Sequence, residues 1–138
     1  MDRLLVRDRY PILMAEIAKA DTPLRNVDEI VAHLRERVTT DRHIALIGVF
    51  DHYGHTIRLG GELHPEVQDA KEIVFCFGPA LPDVELLALR PRAIGVADLG
   101  NRFLVSFLEG PSEETNRVLE GWIEDLRVVD GTGLRTAR

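Results

Sequence analysis

Hydrophobic residues recur with helical spacing between residues 26 and 38. The apolar positions are Val27, Ile30, Val31, Leu34 and Val38. Residues with this spacing lie on one side of a helix of 3.6 residues per turn. Asn26 precedes them and suits an N-cap, while Asp28 and Glu29 place negative charge in the first turn, where the helix dipole favours it. The pattern predicts an amphipathic helix over residues 26–38.

Shorter apolar runs predict strands in the rest of the chain. The runs are 12–19, 43–50, 73–77, 92–97 and 103–108. Residues 43–50 are apolar on both faces, which is typical of an interior strand. Residues 73–77 form a second apolar run of this kind, and Gly78-Pro79 marks its end. The last two runs flank Asp98-Leu99-Gly100-Asn101 and predict a hairpin. Residues 12–19 fit neither period cleanly, and we interpret them as a strand.

Two further segments predict helices. A short helix is expected from Leu81 to about Ala88. A longer helix begins after Pro111-Ser112 and is expected to reach Asp130-Gly131, because Val118, Leu119, Trp122, Ile123 and Leu126 form one apolar stripe. The fold class is therefore α+β, a two-layer sandwich in which two amphipathic helices cover one face of a mainly antiparallel sheet of four to five strands. Residues 1–138 form a single domain, with loosely ordered ends at 1–10 and 129–138.

Composition narrows the class of partner. The formal net charge is -6, whereas nucleic-acid binding needs a basic face, so we expect no nucleic-acid partner. No apolar run approaches the ~20 residues of a membrane span, and we expect no membrane partner. The one cysteine, Cys76, excludes an intramolecular disulfide and indicates a reducing compartment. We therefore expect a cytoplasmic protein.

The segment Phe50-Asp51-His52-Tyr53-Gly54-His55 concentrates more chemistry than any other. Imidazole nitrogens bind metals and exchange protons near neutral pH. His52 and His55 are candidate metal ligands, and Asp51, Glu62 or His64 would complete or orient the set. Residues three apart share a face on a helix but not on a straight strand, so both histidines reach one ion only if the strand breaks at Tyr53-Gly54. The alternative is structural, with hydrogen bonds that hold the strand end.

Arg92 and Cys76 are further candidates for a ligand site. Arg90-Pro91-Arg92 is a basic pair suited to carboxylates or phosphates, although salt bridges to Asp83, Glu85 or Glu109 would equally explain it. Cys76 shares a strand face with Val74, opposite Phe75 and Phe77. A free cysteine is commonly a small buried hydrophobe, and a reactive thiolate needs an electropositive, partly exposed setting.

Four short motifs carry a resemblance. They are Phe50-Asp51-His52, Glu72 to Pro79, Arg90 to Val96, and Ser106 to Pro111. With them the chain resembles a group of small bacterial proteins of unknown function, and its layout over about residues 12 to 127 is similar to domain-of-unknown-function family three hundred and two. The resemblance implies a compact two-layer α+β fold, often dimeric, with no established reaction. The resemblance draws attention to His52, which matches its Asp-His element. At position 76 this chain has a cysteine, whereas that family usually has an aliphatic residue.

These features favour a ligand-binding or interaction domain, homodimeric, with a small-molecule site lined by His52, Tyr53, His55, Arg92 and Cys76. The alternative is a small metal-assisted or thiol-dependent enzyme that uses His52, His55 and Cys76. A third interpretation is purely structural, with the subunit interface as the function. The sequence does not specify a cofactor.

Overall fold

Six strands form one sheet in the computed structural model, which describes residues 1–127. The strands are β1 (Asp2–Val6), β2 (Tyr10–Ala18), β3 (Ile44–Asp51), β4 (Asp69–Phe77), β5 (Arg92–Asp98) and β6 (Arg102–Leu108). The helices are α1 (Val27–Thr40), α2 (His52–Arg58) and α3 (Glu113–Glu124), with 3-10 turns at Lys19–Asp21 and Val84–Leu89.

The strand order is β1-β2-β6-β5-β4-β3, and every neighbouring pair is antiparallel. Hairpins join β1 to β2 and β5 to β6, whereas residues 78–91, which contain the second 3-10 turn, join β4 to β5. The helix α1 carries the chain from β2 to β3, which forms the far edge of the sheet. This arrangement confirms the α+β class and the antiparallel sheet.

The core lies between the sheet and the pair α1 and α3. Ile73 and Phe75 of β4 are fully buried there, as are Ile30 and Leu34 of α1. Trp122 of α3 packs against Phe75 and Phe77, with ring centroids 5.9 and 5.8 Å apart. Both long helices therefore cover the same face of the sheet, as the apolar stripes predict.

Side-chain caps fix where the long helices begin. The Asn26 side chain accepts a hydrogen bond from the Glu29 amide at 2.8 Å, which confirms the predicted start of α1. Ser112 accepts from the Thr115 amide at 3.2 Å and starts α3 in the same way. α3 ends at Glu124, so the expected continuation to residue 130 fails over residues 125–127, and its remainder lies outside the described residues.

The sheet has six strands, and the prediction of four to five was too low. The additional strand is β1, which lies in the segment 1–10 that we expected to be a loosely ordered end. All five residues of β1 are exposed, so hydrophobic burial gives no periodic signal, and pairing with β2 supplies the order instead. The expectation for 129–138 concerns residues outside the described range.

The two shorter helical segments differ from the predictions. The helix expected over residues 81–88 is a 3-10 turn at Val84–Leu89. The helix α2 begins directly after β3 and contains both histidines of the candidate motif. Among residues 1–127, no helix combines the length and apolar character needed to cross a membrane.

Candidate ligand-binding site on the open sheet face

The sheet surface opposite α1 and α3, which we call the open face, carries the site. Residues directly opposite each other on antiparallel strands point to the same side of the sheet. Since Ile73 and Phe75 point into the core, the alternate residue Glu72 points to the open face. Its cross-strand partner is Gly95, and the partner of Gly95 on β6 is Ser106. These three residues form one row across the sheet.

Two adjoining hollows of about 170 and 330 Å³ lie on the open face and share this row. We call the pair the trough. The smaller hollow is also lined by His52, Ala70, Lys71, Val96, Ala97 and Leu104. The larger is bordered by Ile12, Leu89, Pro91, Arg92, Ala93, Phe107 and Leu108. The small residues at 70, 93, 95 and 97 leave the floor low between larger side chains, and this produces the depression.

A hydrogen-bonded pair of polar side chains stands at the trough. The Nδ1 atom of His52 lies 2.8 Å from Oε1 of Glu72. The side chains are 51% and 34% exposed, so a molecule in the trough has access to both. Because imidazole donates from Nδ1 to this carboxylate, the ring's Nε2 is free to accept when the ring is neutral. The arrangement can bind and orient a polar group.

Aromatic contacts hold the orientation of this pair. The Phe50 ring lies 5.4 Å from the His52 ring and 5.2 Å from the His55 ring, centroid to centroid. The two imidazoles meet edge to face at 5.8 Å. Phe50 is directly opposite Glu72 across β3 and β4. The three rings therefore form one cluster beside the trough.

Local sequence explains why a helix forms at the end of β3. The Asp51 side chain accepts a hydrogen bond from the Gly54 amide at 3.0 Å and so caps α2. A Cβ atom at position 54 would collide with Oδ2 of Asp51 and displace the capping side chain, so glycine preserves this cap. The cap turns the chain into a helix, and residues three apart on a helix share a face. His52 and His55 are adjacent for this reason.

Comparison with known proteins places the chain in a family. A family model described as "Family of unknown function (DUF6858)" matches residues 1–128. The chain belongs to this family. No curated protein and no solved structure gives a significant match to it. Membership of the DUF6858 family confirms the general expectation of a domain of unknown function, while the likeness in layout to family three hundred and two and the bacterial origin stay predictions.

In this DUF6858 domain, one residue of the histidine motif lines the trough and its neighbours do not. His52 lines the trough, whereas Tyr53 and His55 are half-buried beside it and do not line it. Among residues 1–127 no group of three or more His, Cys, Asp or Glu side chains is arranged to hold a metal ion. His64 lies elsewhere, where its Nδ1 accepts from the Glu66 amide at 3.2 Å. Metal binding by His52 and His55 stays a prediction.

Arg92 begins on the opposite side of the sheet from His52. It is directly opposite Phe75, which points into the core. Its guanidinium donates to the Leu108 carbonyl at 2.6 Å, and a Cβ atom at Gly110 would lie 2.5 Å from Nη1. Burial lowers the pKa of Arg92 below its ordinary value. The guanidinium therefore links β5 to the end of β6, although the residue borders the larger hollow.

Cys76 occupies a separate hollow. It is half-buried on the same strand face as Val74, as alternation predicts. It lines a space of about 300 Å³ together with Arg42, His43 and Pro79. Cys76 and Glu72 are four residues apart on β4, a distance of about 13 Å along a strand. The thiol is therefore not brought to the His52 imidazole.

Sequence analysis missed three trough residues, Glu72, Gly95 and Ser106. Glu72 directly precedes the apolar run 73–77, and nothing in the sequence pairs it with His52. A glycine inside a strand marks a place where a side chain would obstruct close approach, and Gly95 carried that signal. Nothing in the sequence pairs Ser106 with residue 72, because that proximity depends on the strand order.

Proposed function

We propose that this protein is a small-ligand-binding domain and that the trough is its binding site. The supporting observation is a hollow floored by small residues with the His52–Glu72 pair at its side. Binding sites for small molecules are concave, mostly apolar and equipped with a few polar groups. The larger hollow, at about 330 Å³, is within the range of such sites. A cytoplasmic location is part of the proposal, since the one cysteine indicates a reducing compartment.

The proposal is tested on untagged protein, as purified, by native mass spectrometry with elemental analysis. We expect a bound small molecule on a fraction of the chains, lost when the trough is narrowed by Gly95→Ala. A Cβ atom at Gly95 would make ordinary contacts, 3.8 Å to Oγ of Ser106 and 3.9 Å to Cγ of Glu72, so the fold tolerates it.

Gly48→Ala is the matched control. Gly48 is opposite Val74 on the open face but outside the trough, and a Cβ atom there meets nothing within 4 Å. A bound molecule that is retained by both glycine variants and by His52→Ala contradicts the proposed site. Stoichiometric metal that is lost in His52→Ala and His55→Ala would support the metal prediction instead.

Homodimerisation belongs to the same proposal, with the apolar band on β1, β2 and β6, at the border of the trough, as the contact. A band of apolar side chains crosses β1, β2 and β6: Leu4, Val6, Tyr10, Ile12 and Leu108. Leu4 is 41% exposed and Leu108 48%, and contiguous apolar surface of this kind marks interaction sites.

Light scattering after size exclusion tests the dimer. We expect a dimer for the natural chain and a monomer for Leu108→Glu. Val118→Glu, on the exposed side of α3, is the control that should remain dimeric. A monomer at every concentration, or a dimer indifferent to Leu108→Glu, would exclude this interface.

A thiol-dependent enzyme is the alternative function, and one observation favours it. Arg42 and His43 line the same hollow as Cys76, which gives the half-buried thiol basic neighbours. Iodoacetamide labelling at pH 7 measures this directly. Modification of the native protein faster than that of a free cysteine would support the thiol function, and protection from modification would remove it.

A further inference from the structure

The polar groups of the trough have spare acceptor capacity. His52 is the only hydrogen-bonding partner of Glu72 within residues 1–127, and it engages Oε1 alone. A carboxylate accepts about four hydrogen bonds, so Oε2 remains open to a ligand. In the same part of the chain the hydroxyl of Ser106 has no hydrogen bond, and it can accept or donate.

These two groups face the same space. Oγ of Ser106 and Cγ of Glu72 lie 3.8 and 3.9 Å from the position a Cβ atom would take at Gly95. The floor at that point is bare backbone, because glycine has no side chain. A ligand group placed over Gly95 therefore lies between a carboxylate and a hydroxyl.

The long cationic side chains at the rim of the trough are committed elsewhere. Lys71 hydrogen-bonds Asp28 of α1 on the opposite face, and that bond raises the pKa of Lys71. Arg92 donates to the Leu108 carbonyl, as described above. The remaining basic side chain is His52, and its Nδ1 already serves Oε1 of Glu72. The trough thus offers acceptors and a negative charge over Gly95, with no Lys or Arg head group from the described residues to neutralise them.

The geometry points to a primary ammonium, carried on a short apolar body, as the group that the trough binds. This inference rests on the proposed function and names its ligand class. A primary ammonium has three N–H donors and one positive charge, which match Oε2 of Glu72 and Oγ of Ser106. The apolar body would lie over Ala70, Ala97 and Leu104, which line the smaller hollow.

Three probes of similar size separate the ligand classes: n-butylamine, n-butyrate and n-butanol. Each is titrated into ¹⁵N-labelled full-length protein at pH 7 and constant ionic strength, and amide shifts are followed by NMR. We expect butylamine to shift the amides of Glu72, Gly95 and Ser106 in a saturable manner. Butyrate and butanol are expected to leave these amides unchanged.

Two variants connect the shifts to the site. Glu72→Gln should weaken butylamine binding at least tenfold, because an amide lacks the carboxylate charge, and Gly95→Ala should weaken it by occupying the floor. Glu36→Gln is the matched control, since it removes the same charge from an exposed position on α1 and should leave binding unchanged. Circular dichroism and thermal unfolding verify that each variant is folded.

Several results would overturn the ammonium class. One is the absence of saturable shifts with butylamine. Another is a butylamine effect that Glu72→Gln and Glu36→Gln change equally, which indicates diffuse attraction to an acidic surface. Preferential binding of butyrate or butanol in the trough would also refute it, while leaving the proposed function in place. The proposed function has a separate test. It fails if the purified protein carries no bound molecule that is lost in the trough variants.

Discussion

At the scale of single residues, a few side chains satisfy hydrogen-bonding groups of the loop backbone. Asn116 is the one buried polar residue within the described range. Its Oδ1 accepts from the Gly110 amide and its Nδ2 donates to the Gly110 carbonyl, both at 2.9 Å. The loop between β6 and α3 is thereby closed, since both polar groups of Gly110 are satisfied.

Replacing Asn116 with alanine should reduce the free energy of unfolding by about 2 kcal/mol, because two backbone groups lose their partners in a part-buried site. Urea denaturation measures the change. Arg117→Ala, at the exposed neighbouring position, should change it by less than about 0.5 kcal/mol. Equal effects for the two variants would show that the Gly110 contacts do not stabilise the loop.

The turn between β1 and β2 contains two strained residues. Arg7 and Asp8 have φ values of 53° and 60°, in the left-handed region that glycine adopts most easily. Asp8→Gly should therefore raise the free energy of unfolding by about 0.5 kcal/mol, and Asp8→Ala should lower it. Thermal unfolding of the Asp8→Gly and Asp8→Ala variants measures both changes in stability. If both substitutions shift the midpoint in the same direction, backbone strain is not the cause.

His33 on α1 should make stability depend on pH. Its Nε2 atom is buried and has no hydrogen-bond partner among residues 1–127, and burial lowers the pKa of His33, with Arg37 adding to this and Glu36 and Asp125 opposing it. The unfolded chain then binds the proton more readily than the folded one. The stabilising contribution is complete above about pH 6.5 and is lost as pH falls through that value.

Urea titrations between pH 7.5 and 5.5 test this effect of His33. We expect a loss below about 1 kcal/mol in the natural chain, given the partial exposure of the site. His33→Gln does not titrate and should give a flatter profile. Identical slopes for the two proteins would mean that protonation of His33 does not destabilise the fold.

At the scale of elements, α2 was the least predictable and the most consequential. The sequence of the motif is compatible with both strand and helix, and the helix follows from the Asp51 cap and from Gly54, which has no Cβ atom to displace that cap. By contrast, α1 and α3 were predicted because burial on one side imposes a strong period on the sequence. A seven-residue helix whose residues are all at least partly exposed carries no such period.

Asp51→Ala should fray α2 and cost about 1 kcal/mol, since the Gly54 amide loses its cap. Loss of the helix should also release His52 from Glu72, which NMR detects as a change in the His52 ring resonances. Asp51→Ser retains an oxygen that can cap and should preserve both stability and the ring signals. Unchanged His52 resonances in the alanine variant would show that the pair does not depend on the cap.

At the scale of the whole molecule, stability should differ between the centre and the edges of the sheet. β5 is paired on both sides and buries Ile94 and Val96, whereas β1 is paired only with β2 and all its residues are exposed. Native-state hydrogen exchange should show protection of β5 amides near the global limit. The β2-bonded amides of β1 should exchange at least ~100-fold faster. Equal protection in the two strands would mean that β1 opens only with the whole fold.

The sequence by itself determined the elements whose burial is periodic or continuous. The helix stripe from Val27 to Val38, the central strands and the β5–β6 hairpin could all be inferred, because apolar spacing records which side of an element faces the core. His52 was also identified, since its residue type alone suggests chemistry near neutral pH.

Only the tertiary structure decided what surrounds His52. Glu72, Gly95 and Ser106 lie on three different strands, and they meet because β4, β5 and β6 are neighbours in a particular register. The same order sends the Arg92 guanidinium to the α3 side and leaves Cys76 in another hollow. Local sequence patterns encode burial but not which strands pair, so residues distant in the chain could not be grouped before the sheet was known.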